Sequence, residues 1–162
     1  MSTGLKPRPA SVSQVVMTEL VLPQHTNALG SIFGGTVVSW IDICAAIAAQ
    51  RHCGKAVVTA SIDALQFVAP VMNGWVVNLR ASVNDAGRTS MEVGVRVDAE
   101  NPMTGERFHT ATAYLTFVAL GSNLKPSELP PLLAETPDEK RRQKAAQMRR
   151  RSRLALREQM KT

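Results

Sequence analysis

Gly34-Gly35 opens a run rich in Val, Ile, Trp and Ala that continues to His52, and Gly54 follows it. The run is apolar nearly all the way round, so only a buried element can absorb it. Its alanine density favours helix over strand, and a glycine just past the last apolar turn is a common helix stop. The longest apolar stretch within it, Thr36 to Ala49, is too short to cross a bilayer and contains Asp42. A chain with one such helix needs a second layer wide enough to cover it.

The flanking sequence supplies strands. Val15 to Leu22 is β-rich and ends at Pro23, and Gln24 to Phe33 reads as a loop. Ala56 to Phe67, Trp75 to Asn84, Thr89 to Asp98 and Phe108 to Leu120 follow as strand candidates. The second of these alternates cleanly, with Trp75, Val77, Leu79, Ala81 and Val83 set against Asn78, Arg80, Ser82 and Asn84, and the third does the same, with Met91, Val93, Val95 and Val97 against Glu92, Arg96 and Asp98. Period-two alternation of that length marks strands with one buried face. Residues 84–88 and 101–105 read as turns between antiparallel neighbours. The order strand, helix, four strands predicts an α+β fold, with one long central helix on one face of a five-stranded antiparallel sheet. The open edges of such a sheet favour dimerisation.

The net charge is +6, which taken alone suggests a nucleic-acid or membrane partner. Its distribution changes that reading. Residues 1–120 carry eight Lys/Arg against eight Asp/Glu, so the whole excess lies in the last 42 residues. From Lys140 onward ten bases face a single acid, Glu158. All seven aromatic residues lie at or before Phe117, and a tail without aromatics cannot stack on bases. The chain divides into a lead-in (1–12), a body (13–120), a Pro-rich linker (121–137) and a basic helical tail (138–162). The expected tail is a solvated extension with a weak apolar stripe of Ala145, Met148, Leu156 and Met160. Contact of the tail with RNA, an acidic membrane or a phosphate is the minority reading. No apolar run follows the basic residues of the N-terminus, and two cysteines make no disulfide framework. A cytoplasmic location is therefore expected.

Asp42 is the residue that stands out. It lies between Ile41 and Ile43 in mid-helix, and Val38, Ser39, Ala45 and Ala46 on its own face offer no cation. A carboxylate so placed must find a partner elsewhere, shift its pKa or do chemistry. Gly34-Gly35 at the helix start would let backbone N–H groups approach a ligand, at the end of the helix that carries partial positive charge. Those are the requirements of an oxyanion site. Other chemistries fail: the three histidines and two cysteines have no metal-ligand spacing, and there is no Gly-x-Ser-x-Gly elbow and no P-loop. Cys44 reads as a packed thiol, and His25 as a surface histidine.

Residues 25–35, His-Thr-Asn-Ala-Leu-Gly-Ser-Ile-Phe-Gly-Gly, with Trp40-Ile41-Asp42 after them, resemble the signature of hotdog-fold acyl-CoA thioesterases. The resemblance is to the YciA-like bacterial enzymes and the animal cytosolic acyl-CoA and acetyl-CoA hydrolases. Residues 58–63 (Val-Thr-Ala-Ser-Ile-Asp) and 88–94 (Arg-Thr-Ser-Met-Glu-Val-Gly) match further motifs. The resemblance covers about residues 13 to 120 and excludes the tail. It implies a hydrolase of lipid metabolism acting on acyl-CoA without metal or cofactor. It also implies a homodimer with interface active sites, stacked as a trimer of dimers into a homohexamer. Asp42 would be the general base or nucleophile, Asn27 would orient water or carbonyl, and Gly34 and Gly35 would form the oxyanion site. Phe33, Thr59, Ser61, Arg88, Thr89 and Ser90 would contact CoA. Two alternatives remain: a non-catalytic acyl-CoA sensor, and a hotdog dehydratase, for which His25 stands in the wrong place.

Overall fold

The computed structural model describes residues 4–161. Its main sheet has five strands: β2 (Val15–Leu20), β3 (Ala56–Ile62), β4 (Val76–Ala86), β5 (Ser90–Glu100) and β6 (Arg107–Leu120). They run in the order β2-β4-β5-β6-β3, every neighbouring pair antiparallel. The long helix α1 (Gly34–Cys53) touches all five strands, so the sheet curls round it. The inward residues are those the alternation assigns: Val77, Leu79, Ala81 and Val83 of β4, and Val93, Val95 and Val97 of β5, are buried. Against them α1 presents Val37, Ile41, Cys44, Ala45, Ala48 and Ala49, all without solvent exposure. Small side chains on α1 meet Ala111, Ala113 and Ala119 of β6, which lets helix and sheet approach closely. Gly54 ends α1 in the left-handed conformation, φ 64°, as its position in the sequence requires.

Several boundaries differ from expectation, β4 and β5 each running two residues further, to Ala86 and Glu100. The first strand stops at Leu20 because Leu22 begins a short 3-10 turn, Pro23–His25. β3 leaves its ladder after Ile62, not at Phe67.

The lead-in and linker are bound to the body. β1 (Arg8–Pro9) pairs in parallel with β7 (Leu132–Leu133). Arg8 donates to the carbonyls of Arg51 and His52 at 3.2 and 3.0 Å, placing a cation on the negative end of α1. His52 is fully buried and its Nε2 donates to the Pro130 carbonyl at 2.7 Å. Burial pushes its pKa below the usual histidine value, with the Pro130 bond opposing. Lys55 Nζ donates to Ser127 Oγ and to the Glu128 carbonyl at 2.7 and 2.6 Å.

The tail corrects the sequence reading most. It forms α2 (Pro137–Gln159), opened by a capping box of Thr136 and Glu139 with Pro137 in the first turn. This helix is docked on the outer face of the sheet, opposite α1. Its expected apolar stripe does not carry the docking: Met148, Leu156 and Met160 are exposed. Arginines carry it. Arg149 makes two bonds to Glu92, at 2.7 and 3.1 Å, and its guanidinium lies 3.6 Å from the Tyr114 ring centroid. Arg153 donates to Asp63 at 2.9 Å, and Gln143 to Asp85 at 3.1 Å. Glu92 keeps only 5% of its surface exposed. Breaking a buried pair of this kind costs about 3 kcal/mol or more, because the remaining charge is stranded. Burial also holds the Asp85 carboxyl above its usual range, against the opposing bond from Gln143. The neutral body thus turns three of its acids toward the cationic tail.

Candidate active site

Asp42 lies near the middle of α1, half-buried, and its partner comes from β3: Thr59 Oγ1 donates to Asp42 Oδ1 at 2.6 Å. The helix itself supplies no cation, as its sequence predicts, and the partner comes from the sheet. Thr59 stands opposite Phe117, on the inner face of the sheet. One carboxylate oxygen is thereby engaged, and among the described residues no donor is shown for Oδ2.

Gly34 and Gly35 are the first residues of α1. No side chain caps the helix and no acid occupies its first turn. The amides of Thr36 and Val37 donate back to the Phe33 carbonyl, while those of Gly34 and Gly35 meet no acceptor among the described residues. An uncapped start leaves donors and partial positive charge for an incoming oxygen. Two aromatic rings flank it. A methyl at Gly35 would stand 2.6 Å from the Phe33 ring, and one at Gly34 would touch Phe67 at 3.6 Å. Glycine at position 35 is what allows the Phe33 ring to fold over the helix start.

Asn27 is exposed in the loop before α1. Its Oδ1 accepts from the Leu29 amide at 2.9 Å and from the Ser31 hydroxyl at 3.3 Å. A backbone N–H can only donate, so the orientation of the carboxamide is fixed and its NH2 group faces outward as a donor. His25, read as a surface residue, is instead part of the loop's attachment: its Nδ1 accepts from the Leu22 amide at 3.0 Å and its ring meets Trp40 edge-on at 5.1 Å. Trp40 is buried by this contact.

The structure divides the remaining expected residues between the two faces of the sheet. Arg88, Thr89 and Ser90 form the β4–β5 turn, closed by the Gly87 amide donating to the Ser90 carbonyl at 2.8 Å, and Arg88 is exposed. Ser61 and Ser90 line a groove of about 890 Å³ on the outer face, walled by Arg150, Arg153 and Arg157 of α2. Thr59, expected alongside Ser61, faces inward to Asp42 instead. The groove was not readable from the sequence because one of its walls is the tail.

An α-helix rises 1.5 Å per residue, so Gly35 and Asp42 are separated by about 10 Å along the axis of α1.

Neither cysteine competes for the chemistry. Burial pushes the Cys44 thiol up to about 11, and burial also raises Cys53. Thiolate is the reactive form, so the native protein should remain unlabelled by a disulfide-type thiol reagent at pH 7.5 for the length of an assay. Two equivalents should appear on denaturation. Rapid labelling of the native protein would contradict this placement.

The thioesterase superfamily model matches residues 29–106. The chain is 46% identical over 127 residues to the uncharacterized acyl-CoA thioester hydrolase YkhA of Bacillus subtilis, covering 78% of this chain and 74% of that one. It is 35% identical over 139 residues to a cytosolic acyl coenzyme A thioester hydrolase of Mus musculus, covering 85% of this chain and 36% of that longer protein. Among solved structures, an apo-hexameric acyl-CoA thioesterase superposes with a TM-score of 0.90 at 42% identity, over 93% of this chain and 97% of that one. The acyl-CoA hydrolase of Staphylococcus aureus, solved with butyryl-CoA, CoA and CoA disulfide, gives 0.88 at 37% identity, over 95% and 94%. Structures of that enzyme with one aspartate, one asparagine or one threonine replaced by alanine also superpose. The fold and its site define a hotdog thioesterase. This chain belongs to the acyl-CoA thioester hydrolases of the thioesterase superfamily.

Proposed function

We propose that the protein hydrolyses acyl-CoA thioesters to carboxylic acid and CoA at sites built from two protomers. The observation that carries this reading is the division of α1: uncapped amides at one end, and a Thr59-supported carboxylate about 10 Å away along the same helix. A second copy related by a two-fold axis would bring Asp42 of one protomer to the helix start of the other. The apolar surface around these residues supports such a contact. Phe33, Ile43, Val58, Phe67 and Val68 are all exposed, and β3 is an edge strand. The hexameric relative supports a trimer of dimers.

In this reading the thioester carbonyl accepts hydrogen bonds from the Gly34 and Gly35 amides. In other enzymes one such donor is worth about 3–4 kcal/mol of transition-state stabilisation. Asp42 takes a proton from water, which adds to the carbonyl carbon. The carbon–sulfur bond breaks, and the CoA thiolate leaves and recovers the proton. The alternative is direct attack by Asp42, giving a mixed anhydride that water then opens. The Thr59 hydroxyl holds Oδ1 and leaves Oδ2 for the reaction. The outward NH2 group of Asn27 orients water or carbonyl. Arg88, Thr89, Ser90 and Ser61 meet the nucleotide end of CoA, and Phe33 meets the acyl or pantetheine chain. No metal or cofactor is required, and the protein acts in the cytoplasm. The test is CoA release from a panel of acyl-CoA chain lengths, followed with a thiol reagent that the protein's own buried cysteines do not consume. Release from at least one chain length is expected; release from none would leave the sensor reading.

A further inference from the structure

Thr59 in β3 and Asp63, the residue just past its end, lie four residues apart yet serve opposite faces of the sheet. In an unbroken strand such residues share a face. In β3 the pairing steps from Thr59↔Phe117 to Ser61↔Thr116, so Ala60 is an extra residue. A bulge of this kind reverses the alternation. Thr59 therefore stands opposite the inward, buried Phe117 and reaches Asp42. Asp63, whose amide donates to the Tyr114 carbonyl at 2.9 Å, turns to the outer face and α2.

Within one protomer β3 pairs with β6 alone, and its regular ladder ends at Ile62. Just past that point Arg153 Nη1 donates to Asp63 Oδ2 at 2.9 Å and lies 3.6 Å from Glu92 Oε2. Glu92 is itself fixed by Arg149 and by Asn84, which donates to it at 3.1 Å. The anchor on β3 is thus joined to β4 and β5, and through the Tyr114 ring under Arg149 to β6. The extra residue interrupts the ladder at the bulge, and Thr59 is the last paired residue before it. A hydrogen bond of 2.6 Å tolerates little displacement.

We propose that Arg153 is a positioning residue for the hydrolytic site: through Asp63 it fixes β3 beyond the bulge and so sets the Thr59 hydroxyl against Asp42. The proposal rests on the reading of Asp42 and Thr59 given above. It assigns the basic tail a task within the enzyme, since α2 docks by arginines and one of them restrains the strand that supports the carboxylate.

The test is a double-mutant cycle on the full-length protein, with kcat and KM measured separately. The variants are Arg153→Ala, Arg153→Lys, Thr59→Ala and the Arg153→Ala/Thr59→Ala pair. Arg141→Ala, whose ion pair is local to the first turn of α2, is the control and should match the wild type. Arg153→Ala should lower kcat about tenfold with KM within about twofold, and Arg153→Lys should recover at least half of that loss. In the Thr59→Ala background the same change should move kcat less than about twofold. A tenfold loss that persists without Thr59, a loss confined to KM, or no loss at all would each overturn the proposal. If Arg153→Ala does not fold, Asp63→Asn, which keeps the shape and weakens the pair, takes its place in the cycle. If the wild type releases no CoA, the thioesterase reading fails first. The positioning claim is then decided by a crystal structure of the Arg153 variant: Thr59 displaced from Asp42 supports it, and an unmoved Thr59 overturns it.

Discussion

Replacing Asp42 with alanine should abolish measurable CoA release while leaving the protein folded and assembled. The two halves of that expectation have separate causes. Among the described residues the carboxylate is engaged by a single hydrogen bond, from Thr59, and Thr59 is itself exposed, so its hydroxyl turns to water when the acceptor goes. The structural cost is that of one partly solvated hydrogen bond, about 1 kcal/mol. The kinetic cost is much larger. A positioned general base contributes roughly 10²–10⁴-fold, and the loss should fall on kcat, because Asp42 acts on the reacting atoms and has little part in holding CoA. Rate, thermal midpoint and oligomer size should be measured on the same preparation. An inactive variant that has also lost its assembly would not support a chemical role, and one that hydrolyses at the wild-type rate would remove Asp42 from the mechanism. A single turnover in 18O-water then separates the two routes: label in the Asp42 carboxylate marks the anhydride, and label in the product acid alone marks the general base.

The elements that were legible in the sequence are those defined by local pattern. α1 is bounded by Gly34 and closed by Gly54, where only a residue tolerant of positive φ fits. β4 and β5 carry their inward residues on the expected parity. What the sequence hid depends on pairings between distant segments. Glu92 falls on the outward parity of β5 and reads as solvent-facing, yet it is buried because Arg149 covers it from 57 residues away. The tail reads as solvated because arginine stripes usually are, and the apolar positions along α2 gave no hint of the docking face. The bulge at Ala60 left no mark either, since Val-Thr-Ala-Ser-Ile alternates no worse than a regular strand.

The site was legible in its parts and not in its assembly. Asp42, Asn27 and the two glycines stand out as residue types in unusual places. The partner of Asp42 lies on an edge strand seventeen residues on, a separation that no local pattern announces. The distance between Gly35 and Asp42 follows from helix geometry alone, once the helix is known to be continuous from Gly34 to Cys53. That distance, with the proposed two-protomer site, leads to the second large effect.

Asn27→Ala and Asp42→Ala, each nearly inactive alone, should restore activity to one another when the subunits are mixed. With a two-fold interface, each site takes Asp42 from one protomer and Asn27 with the glycine amides from the other. A mixed dimer of the two variants therefore concentrates both lesions in one site and leaves the other intact. Random pairing of equal amounts makes about half of the dimers mixed, and each of these carries one working site of its two. The expected activity is about a quarter of the wild type, against a background of each parent reduced by roughly 10²-fold or more. Co-expression of the two variants, with CoA release measured per total protein, reads this directly. If all the reacting groups belonged to one protomer, every subunit would carry a broken site whatever its neighbour, and mixing would give only the average of the parents. Recovery well above that average therefore requires the carboxylate and the loop that faces it to come from different chains.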